Sequence, residues 1–74
     1  MAKARTYYTL LSFGPDDSSW AIEFGDYSRP IVRQEQDDMK DGSLCDHRFK
    51  IIKTTDGQRE INAAVAALNA KVSS

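Results

Sequence analysis

The 74-residue sequence contains one cysteine, two prolines and no long apolar run. A single cysteine, Cys45, excludes an intramolecular disulfide, whereas small secreted domains usually carry several. No segment approaches the roughly 20 apolar residues that span a bilayer, so we expect no membrane association. The first five residues are followed by no apolar stretch, and we therefore expect no secretory signal. Together these absences predict a cytoplasmic protein.

An excess of either charge is also missing, because 10 basic and 11 acidic side chains leave a net charge of −1. Nucleic-acid-binding domains usually show a basic excess, since each neutralised phosphate adds affinity. The balance disfavours a generic DNA or RNA binder but leaves room for a local basic patch. Hydrophobic residues make up 41% of the chain, which is typical of globular proteins. We expect one domain, residues 1–74, with frayed ends at 1–5 and 72–74.

A β-hairpin is predicted at the start of the chain. Residues 6–13 are aromatic and β-prone, residues 14–19 are turn formers, and residues 20–27 alternate between apolar and other side chains. The alternation places Trp20, Ile22 and Phe24 on one face, which we expect to belong to the core. It leaves Glu23 on the other face, where it is free to meet a partner.

Two helices and a third strand are predicted after the hairpin. Ser28 is a suitable N-cap for a helix that runs to Asp41, and Gly42 is suited to end it. Residues 48–54 predict a strand. Thr55 or Asp56 then caps the last helix, whose apolar positions have helical spacing: Ile61, Ala64, Val65, Leu68 and Val72.

The predicted fold class is α+β with the element order ββαβα. A right-handed crossover through the first helix returns strand three parallel to strand two, so strand three can pair beside strand one. This predicts a three-stranded antiparallel sheet of order 2-1-3, with both helices on one face and the other face open to solvent. Strand two is then an edge, and an unprotected edge allows dimerisation by strand pairing. The oligomeric state stays open.

No catalytic or metal-binding constellation is evident, and we predict no enzyme activity, no metal and no cofactor. Cys45 and His47 are the one place where a thiol and an imidazole are close in sequence, but nothing nearby orients a base or forms an oxyanion hole. Structural zinc needs four ligands, usually from paired Cys and His motifs, and this sequence has only one cysteine and one histidine. Residues 37–42 resemble a calcium loop, yet its third position is Met39 and its twelfth is Arg48.

Charged residues form two candidate binding surfaces. The first is acidic and lies on the first helix, where it is either a solvated helix face or a contact for a basic partner: Glu35, Asp37, Asp38 and Asp41. The second is a basic strip on strand three: Arg48, Lys50 and Lys53. It could contact nucleic acid or an acidic protein, or it could protect an edge strand from aggregation. Tyr7 and Tyr8 point to opposite faces, so one of them is a candidate binding anchor.

The segment from Trp20 to Tyr27 reads WAIEFGDY, and a charged helix with Val32 and Glu35 follows it. This pattern, with the later strand 50–53 and the alanine-rich helix 62–68, resembles short proteins of unassigned activity that bacteriophages and prophages encode. The resemblance covers most of residues 7–70 and departs at residues 28–30, where an Asp cap and a proline-free first turn are more usual. It implies a small phage-derived protein in the cytoplasm of a bacterial host cell.

The sequence therefore predicts a non-enzymatic phage or prophage accessory protein that binds and modulates a host or phage protein. The alternative is a small nucleic-acid-binding module that uses the basic strip. The predicted partner-binding residues are Glu23, Glu35, Asp37, Asp38, Asp41, Arg48, Lys50 and Lys53.

Overall fold

The computed structural model describes residues 5–73. The elements are β1 (Thr6–Phe13), β2 (Ala21–Asp26), α1 (Arg29–Asp41), β3 (Arg48–Thr55) and α2 (Gln58–Ser73). The three strands form an antiparallel sheet of order β2-β1-β3. The predicted α+β class, the ββαβα order and the central position of β1 are confirmed.

The middle of β1 is buried on both sides. Leu10 and Leu11 are both 0% exposed, and their neighbours Thr9 and Ser12 are each 2% exposed. Consecutive side chains of a strand point to opposite faces of the sheet. The sheet therefore has a Leu10 face and a Leu11 face, and each of them needs a cover.

Helix α2 covers the Leu11 face. Near its start, Ile61 is buried and lines a common cavity with Tyr7 and Thr9, which share the Leu11 face of β1. Near its end, the side-chain oxygen of Asn69 accepts a hydrogen bond from the backbone N–H of Trp20 at 2.6 Å. Because both ends of α2 contact the sheet, the helix lies along the length of the strands.

Helix α1 covers the opposite, Leu10 face. It packs against all three strands with Val32 fully buried, and within residues 5–73 it makes no extended contact with α2. The strand order is as predicted, but the expectation of two helices on one face differs from this arrangement. The reason is that both faces carry apolar side chains, Phe24 and Ile51 on one and Ile22 and Ile52 on the other, so neither face is left to water.

A β-bulge interrupts β2. Leu10 pairs with Phe24 and Leu11 pairs with Ile22, so Glu23 is an extra residue without a partner position. Ile22 and Phe24 consequently lie on opposite faces, and Ile22 is 50% exposed. The prediction of one core face made of Trp20, Ile22 and Phe24 was wrong, because simple alternation assumes that no residue is inserted.

The hairpin connection is held by Gly14. Its N–H donates to the Asp17 carboxylate at 2.7 Å, and its carbonyl accepts from the Asp17 N–H at 3.1 Å. A Cβ at this position would lie 2.5 Å from Nε2 of His47. Glycine is needed here because the imidazole ring packs directly on the backbone.

The helix ends follow the predictions only in part. Ser28 occupies the N-cap of α1 but makes no side-chain cap; instead its N–H donates to Asp26 Oδ1 at 2.8 Å. The prediction that Thr55 or Asp56 caps α2 was wrong, because Thr55 still belongs to β3 and the carbonyl of Gly57 accepts the first α2 hydrogen bonds. Among the expected frayed ends, residues 1–4 and 74 lie outside the described residues, and 72–73 belong to α2.

The two-sided burial predicts large and similar losses of stability for Leu10→Ala and Leu11→Ala. Each should lower the free energy of unfolding by about 2–5 kcal/mol, because each leaves a cavity under a helix. Ile22→Ala should cost about 1 kcal/mol, since half of that side chain already faces water. Chemical denaturation measures all three. A cost for Leu10→Ala as small as that for Ile22→Ala would contradict the placement of α1.

Candidate functional site

Three side chains contact Tyr27. The Arg5 guanidinium lies 4.1 Å from the centre of the Tyr27 ring. The Tyr7 ring meets it edge-on, with centroids 5.0 Å apart and planes at 78°. The Tyr27 hydroxyl donates to Asp56 Oδ2 at 3.1 Å. We call Arg5, Tyr7, Tyr27 and Asp56 the Tyr27 cluster.

The sheet topology brings this cluster together. Arg5 precedes β1, Tyr27 follows β2 and Asp56 follows β3. Because β1 runs antiparallel to both neighbours, its start lies at the same end of the sheet as the ends of β2 and β3. Residues 22 and 51 positions apart from Arg5 thus become neighbours.

Gly25 allows Tyr7 to take its position in the cluster. The Tyr7 ring lies across the backbone of Gly25, and a Cβ there would clash with the ring and its hydroxyl. The hydroxyl end of the Tyr7 ring therefore lies over Gly25, and the ring also contacts the Tyr27 ring. A side chain at position 25 would push the Tyr7 ring away from the β2 backbone and from Tyr27.

Tyr27 is exposed but held in place. It keeps 42% of its surface in contact with solvent, and Ile31, in the first turn of α1, keeps 46%. Tyrosine presents a large amphipathic ring at a low cost in side-chain entropy, which is why it is enriched among the residues that dominate protein interfaces. The contacts with Arg5, Tyr7 and Asp56 restrict this ring before any partner arrives.

Asp56 changes the acidity of Tyr27. The hydrogen bond that the hydroxyl donates to the Asp56 carboxylate favours the neutral phenol and raises the pKa of Tyr27 above its ordinary value. Partial desolvation and the negative charge of Asp56 act in the same direction, while the nearby Arg5 charge opposes them. The phenol therefore stays neutral, and keeps its hydrogen bond, further into the alkaline range.

The predicted acidic surface is divided by the helix. Asp37, Asp38 and Asp41 are exposed. Glu35 is half-buried and lies on the side of α1 that also carries Val32, toward the sheet. Helical spacing places Glu35 nearly opposite Asp37, while Asp38 lies between them, three residues from Glu35. The four acids are therefore spread around the helix, and partner binding by them stays a prediction.

The predicted basic strip is divided by the sheet. Arg48 and Lys50 pair with Phe13 and Leu11, which places them on the Leu11 face, whereas Lys53 pairs with Tyr8 on the other face. All three side chains are exposed, but they do not form one strip.

Glu23 is exposed on β2 and makes one side-chain contact. Its carboxylate accepts a hydrogen bond from the Ser12 hydroxyl at 2.9 Å. The solvent-open sheet face on which Glu23 was expected to meet a partner does not exist as an open surface, since α1 and α2 cover the two faces. Glu23 is instead a residue of the bulged edge.

The Cys45–His47 segment is arranged around Asp46. Nδ1 of His47 lies 2.8 Å from Asp46 Oδ1, and the opposite side of the ring packs on Gly14. Cys45 is exposed. The imidazole is thus engaged by a carboxylate and by the hairpin backbone rather than by the thiol.

Residues 5–73 contain neither a candidate metal cluster nor a candidate membrane span. In that range, no three histidine, cysteine or acidic side chains lie close enough to hold a metal ion. No helix in the same range has the length and apolar character needed to cross a membrane.

Sequence reasoning missed the Tyr27 cluster. Arg5 was assigned to a frayed end and Asp56 to a helix cap, and no spacing links either to Tyr27. The available signal was the strand order itself, because the order 2-1-3 places the start of strand one beside the ends of the other two.

The chain matches no protein-family model. No curated protein and no solved structure shows significant similarity to it. Its class is given by its own fold: a small α+β protein of the ββαβα kind, with an aromatic cluster at one end of the sheet.

The raised pKa predicts how Tyr27 responds to alkali. The stabilising hydrogen bond is fully present below the ordinary tyrosine pKa of about 10 and is lost as the pH rises through the raised pKa of Tyr27. Asp56→Asn should lower that pKa, because it removes the negative charge. The ¹³Cζ signal of Tyr27, followed by NMR from pH 8 to 12, measures both values. An unchanged midpoint in Asp56→Asn would contradict the contact.

Proposed function

We propose that this chain is a non-enzymatic phage or prophage accessory protein that binds and modulates a host or phage protein in the bacterial cytoplasm. The observation that carries the proposal is the Tyr27 ring, which is 42% exposed yet fixed by contacts with three other side chains. The resemblance of the sequence to phage-encoded proteins supports a phage or prophage origin and a place in the bacterial cytoplasm. The Tyr27 cluster supplies the place of contact.

The energetic argument rests on preorganisation. Ordering a free side chain at an interface costs about 0.5–1.5 kcal/mol, and a ring that is already held avoids most of that cost. Interface hot spots are enriched in tyrosine and arginine and are surrounded by polar groups that exclude water. The Tyr27 cluster combines an exposed tyrosine with the exposed Arg5 and Asp56 at its margin.

The non-enzymatic part of the proposal is supported by the disposition of His47. A nucleophile needs a base within hydrogen-bond reach. The ring of His47 is directed to Asp46 and Gly14, which leaves the exposed Cys45 without that base.

The nucleic-acid alternative is less well supported. A protein that follows a phosphate backbone gains affinity from several cations on one surface. Arg48 and Lys50 lie on one face of the sheet and Lys53 lies on the other. A single phosphate backbone therefore cannot contact all three side chains directly. We therefore prefer a protein partner.

Affinity capture with matched variants tests the proposal. The tagged full chain is incubated with nuclease-treated bacterial lysate, and bound proteins are quantified by mass spectrometry. Tyr27→Ala should reduce recovery of the specific partner at least about tenfold, since a hot-spot residue contributes 2 kcal/mol or more. Tyr27→Phe, which keeps the ring, should retain most of the binding.

Val72→Ala is the matched control. Val72 is 39% exposed and lies near the end of α2, at the opposite end of the helix from Asp56. It should capture the same partner as the unmodified chain. Equal recovery by a natively folded Tyr27→Ala variant would refute the role of the cluster. The absence of any protein enriched over a tag-only control would refute the proposed function.

A further inference from the structure

The edge of the sheet at β3 is long and regular. β3 (Arg48–Thr55) pairs with β1 over all eight residues in a single register. The opposite edge, β2, has six residues and is bulged at Glu23. No residue of β3 is fully buried. Eight residues at about 3.4 Å each give an edge of about 27 Å, which is long enough for another strand to pair with it.

The outward backbone groups of β3 are largely without partners. Alternate residues of an edge strand direct their N–H and C=O groups away from the sheet. At the end of β3, the Thr55 N–H donates to Glu60 Oε2 at 3.4 Å, and the Thr55 carbonyl accepts from the Thr54 hydroxyl at 2.7 Å. The backbone of residues 48–54 makes hydrogen bonds to no described segment other than β1.

Three cations lie along this edge. Arg48, Lys50 and Lys53 are exposed, and within residues 5–73 none of them forms an ion pair. Arg48 and Lys50 lie on the Leu11 face, and Lys53 lies on the Leu10 face. A phosphate backbone on one face cannot meet all three, whereas a β-strand presents successive side chains to both faces. The division that disfavours nucleic acid is therefore one that an added strand matches.

A second copy of the chain fits this edge poorly. If two β3 strands paired antiparallel about their centres, Lys50 of each copy would lie opposite Lys53 of the other copy. Like charges directly opposite each other on neighbouring strands are destabilising, whereas opposite charges stabilise the pairing. An acidic strand therefore suits the edge that repels its own copy.

From the unpaired backbone and the divided cations together, we propose that the β3 edge binds an extended acidic segment of another protein by β-strand addition. The segment runs antiparallel to β3, which is the more stable orientation. Its carboxylates lie opposite Lys53, Lys50 and Arg48, at a spacing of three and then two residues. Short apolar side chains lie between them, opposite the half-buried Ile51 and Ile52.

A synthetic peptide tests the proposal, which goes beyond the proposed function and does not depend on it, because β3 lies outside the Tyr27 cluster. The probe is acetyl-TTEVVETE-amide, whose three glutamates match the three cations in the antiparallel register. It is titrated into the ¹⁵N-labelled full chain at low salt, and backbone amide shifts are recorded by NMR. Saturable shifts along β3 are expected. Added salt should weaken the binding, because exposed charge pairs are screened.

A charge swap tests the register. Lys50→Glu should weaken binding of this peptide roughly fivefold, because one attractive cross-strand pair becomes repulsive. The peptide acetyl-TTEVVKTE-amide, with lysine at the sixth position, should recover the affinity for Lys50→Glu and should bind the unmodified chain less well. Arg33→Glu is the matched control, since it makes the same net change in charge at an exposed position of α1. It should leave the affinity nearly unchanged.

N-methylation of the peptide separates strand addition from a purely electrostatic contact. Two versions of the peptide carry N-methyl groups on the two alternate sets of residues, and both keep all three glutamates. In a strand that pairs on one side only, one set of N–H groups enters the ladder and the other points to solvent. One version should therefore lose binding, and the other should keep most of it.

The proposal is overturned if the peptide gives no saturable shifts along β3, in which case the cations only protect the edge from aggregation. Equal behaviour of the two methylated peptides would refute strand addition. An oligothymidylate of eight nucleotides is the last control. If it bound as tightly as the peptide and lost affinity equally in Lys50→Glu, the edge would be a nucleic-acid site instead.

Discussion

Two consecutive leucines at the centre of one strand impose the main constraint on this molecule. Leu10 and Leu11 point to opposite sides of β1, and both are fully buried. A three-stranded sheet in so short a chain can meet this requirement only by placing one helix on each side. Each helix then buries a narrow stripe, which includes Val32 in α1 and Ile61 in α2. The exposed surface of α1 is mainly charged and polar, whereas that of α2 also carries alanines and Val72.

This arrangement limits where a partner can bind. With both faces of the sheet covered, the places that remain open on the sheet itself are the strand edges and its two ends. The edge at β2 is bulged at Glu23, and the edge at β3 carries Arg48, Lys50 and Lys53. Bulges and edge lysines both discourage strand pairing, so neither edge favours a dimer. The Tyr27 end combines an exposed ring with charges of both signs.

Side chains that pack on bare backbone organise both ends. At one end the His47 ring lies on Gly14, and at the other the Tyr7 ring lies on Gly25. The first contact ties the loop before β3 to the hairpin, and the second joins β1 to β2 within the hairpin.

The sequence by itself determined the elements and their order. Aromatic and β-branched runs, turn clusters and helical spacing are local signals, and they predicted five elements, their approximate bounds and a sheet of order 2-1-3. The sequence also predicted both ends of α1, because Ser28 is its N-cap and Gly42 is its C-cap. These features depend on residues close together in the chain, which is the range over which propensity and periodicity act.

Only the tertiary structure decided the faces and the site. Whether Ile22 lies with Phe24 depends on one inserted residue, which shifts every later side chain to the other face. Whether Arg48, Lys50 and Lys53 form one strip depends on their register with β1. The meeting of Arg5, Tyr27 and Asp56 depends on distances between segments far apart in the chain. No local pattern encodes such distances, because they are set by packing across the whole sheet.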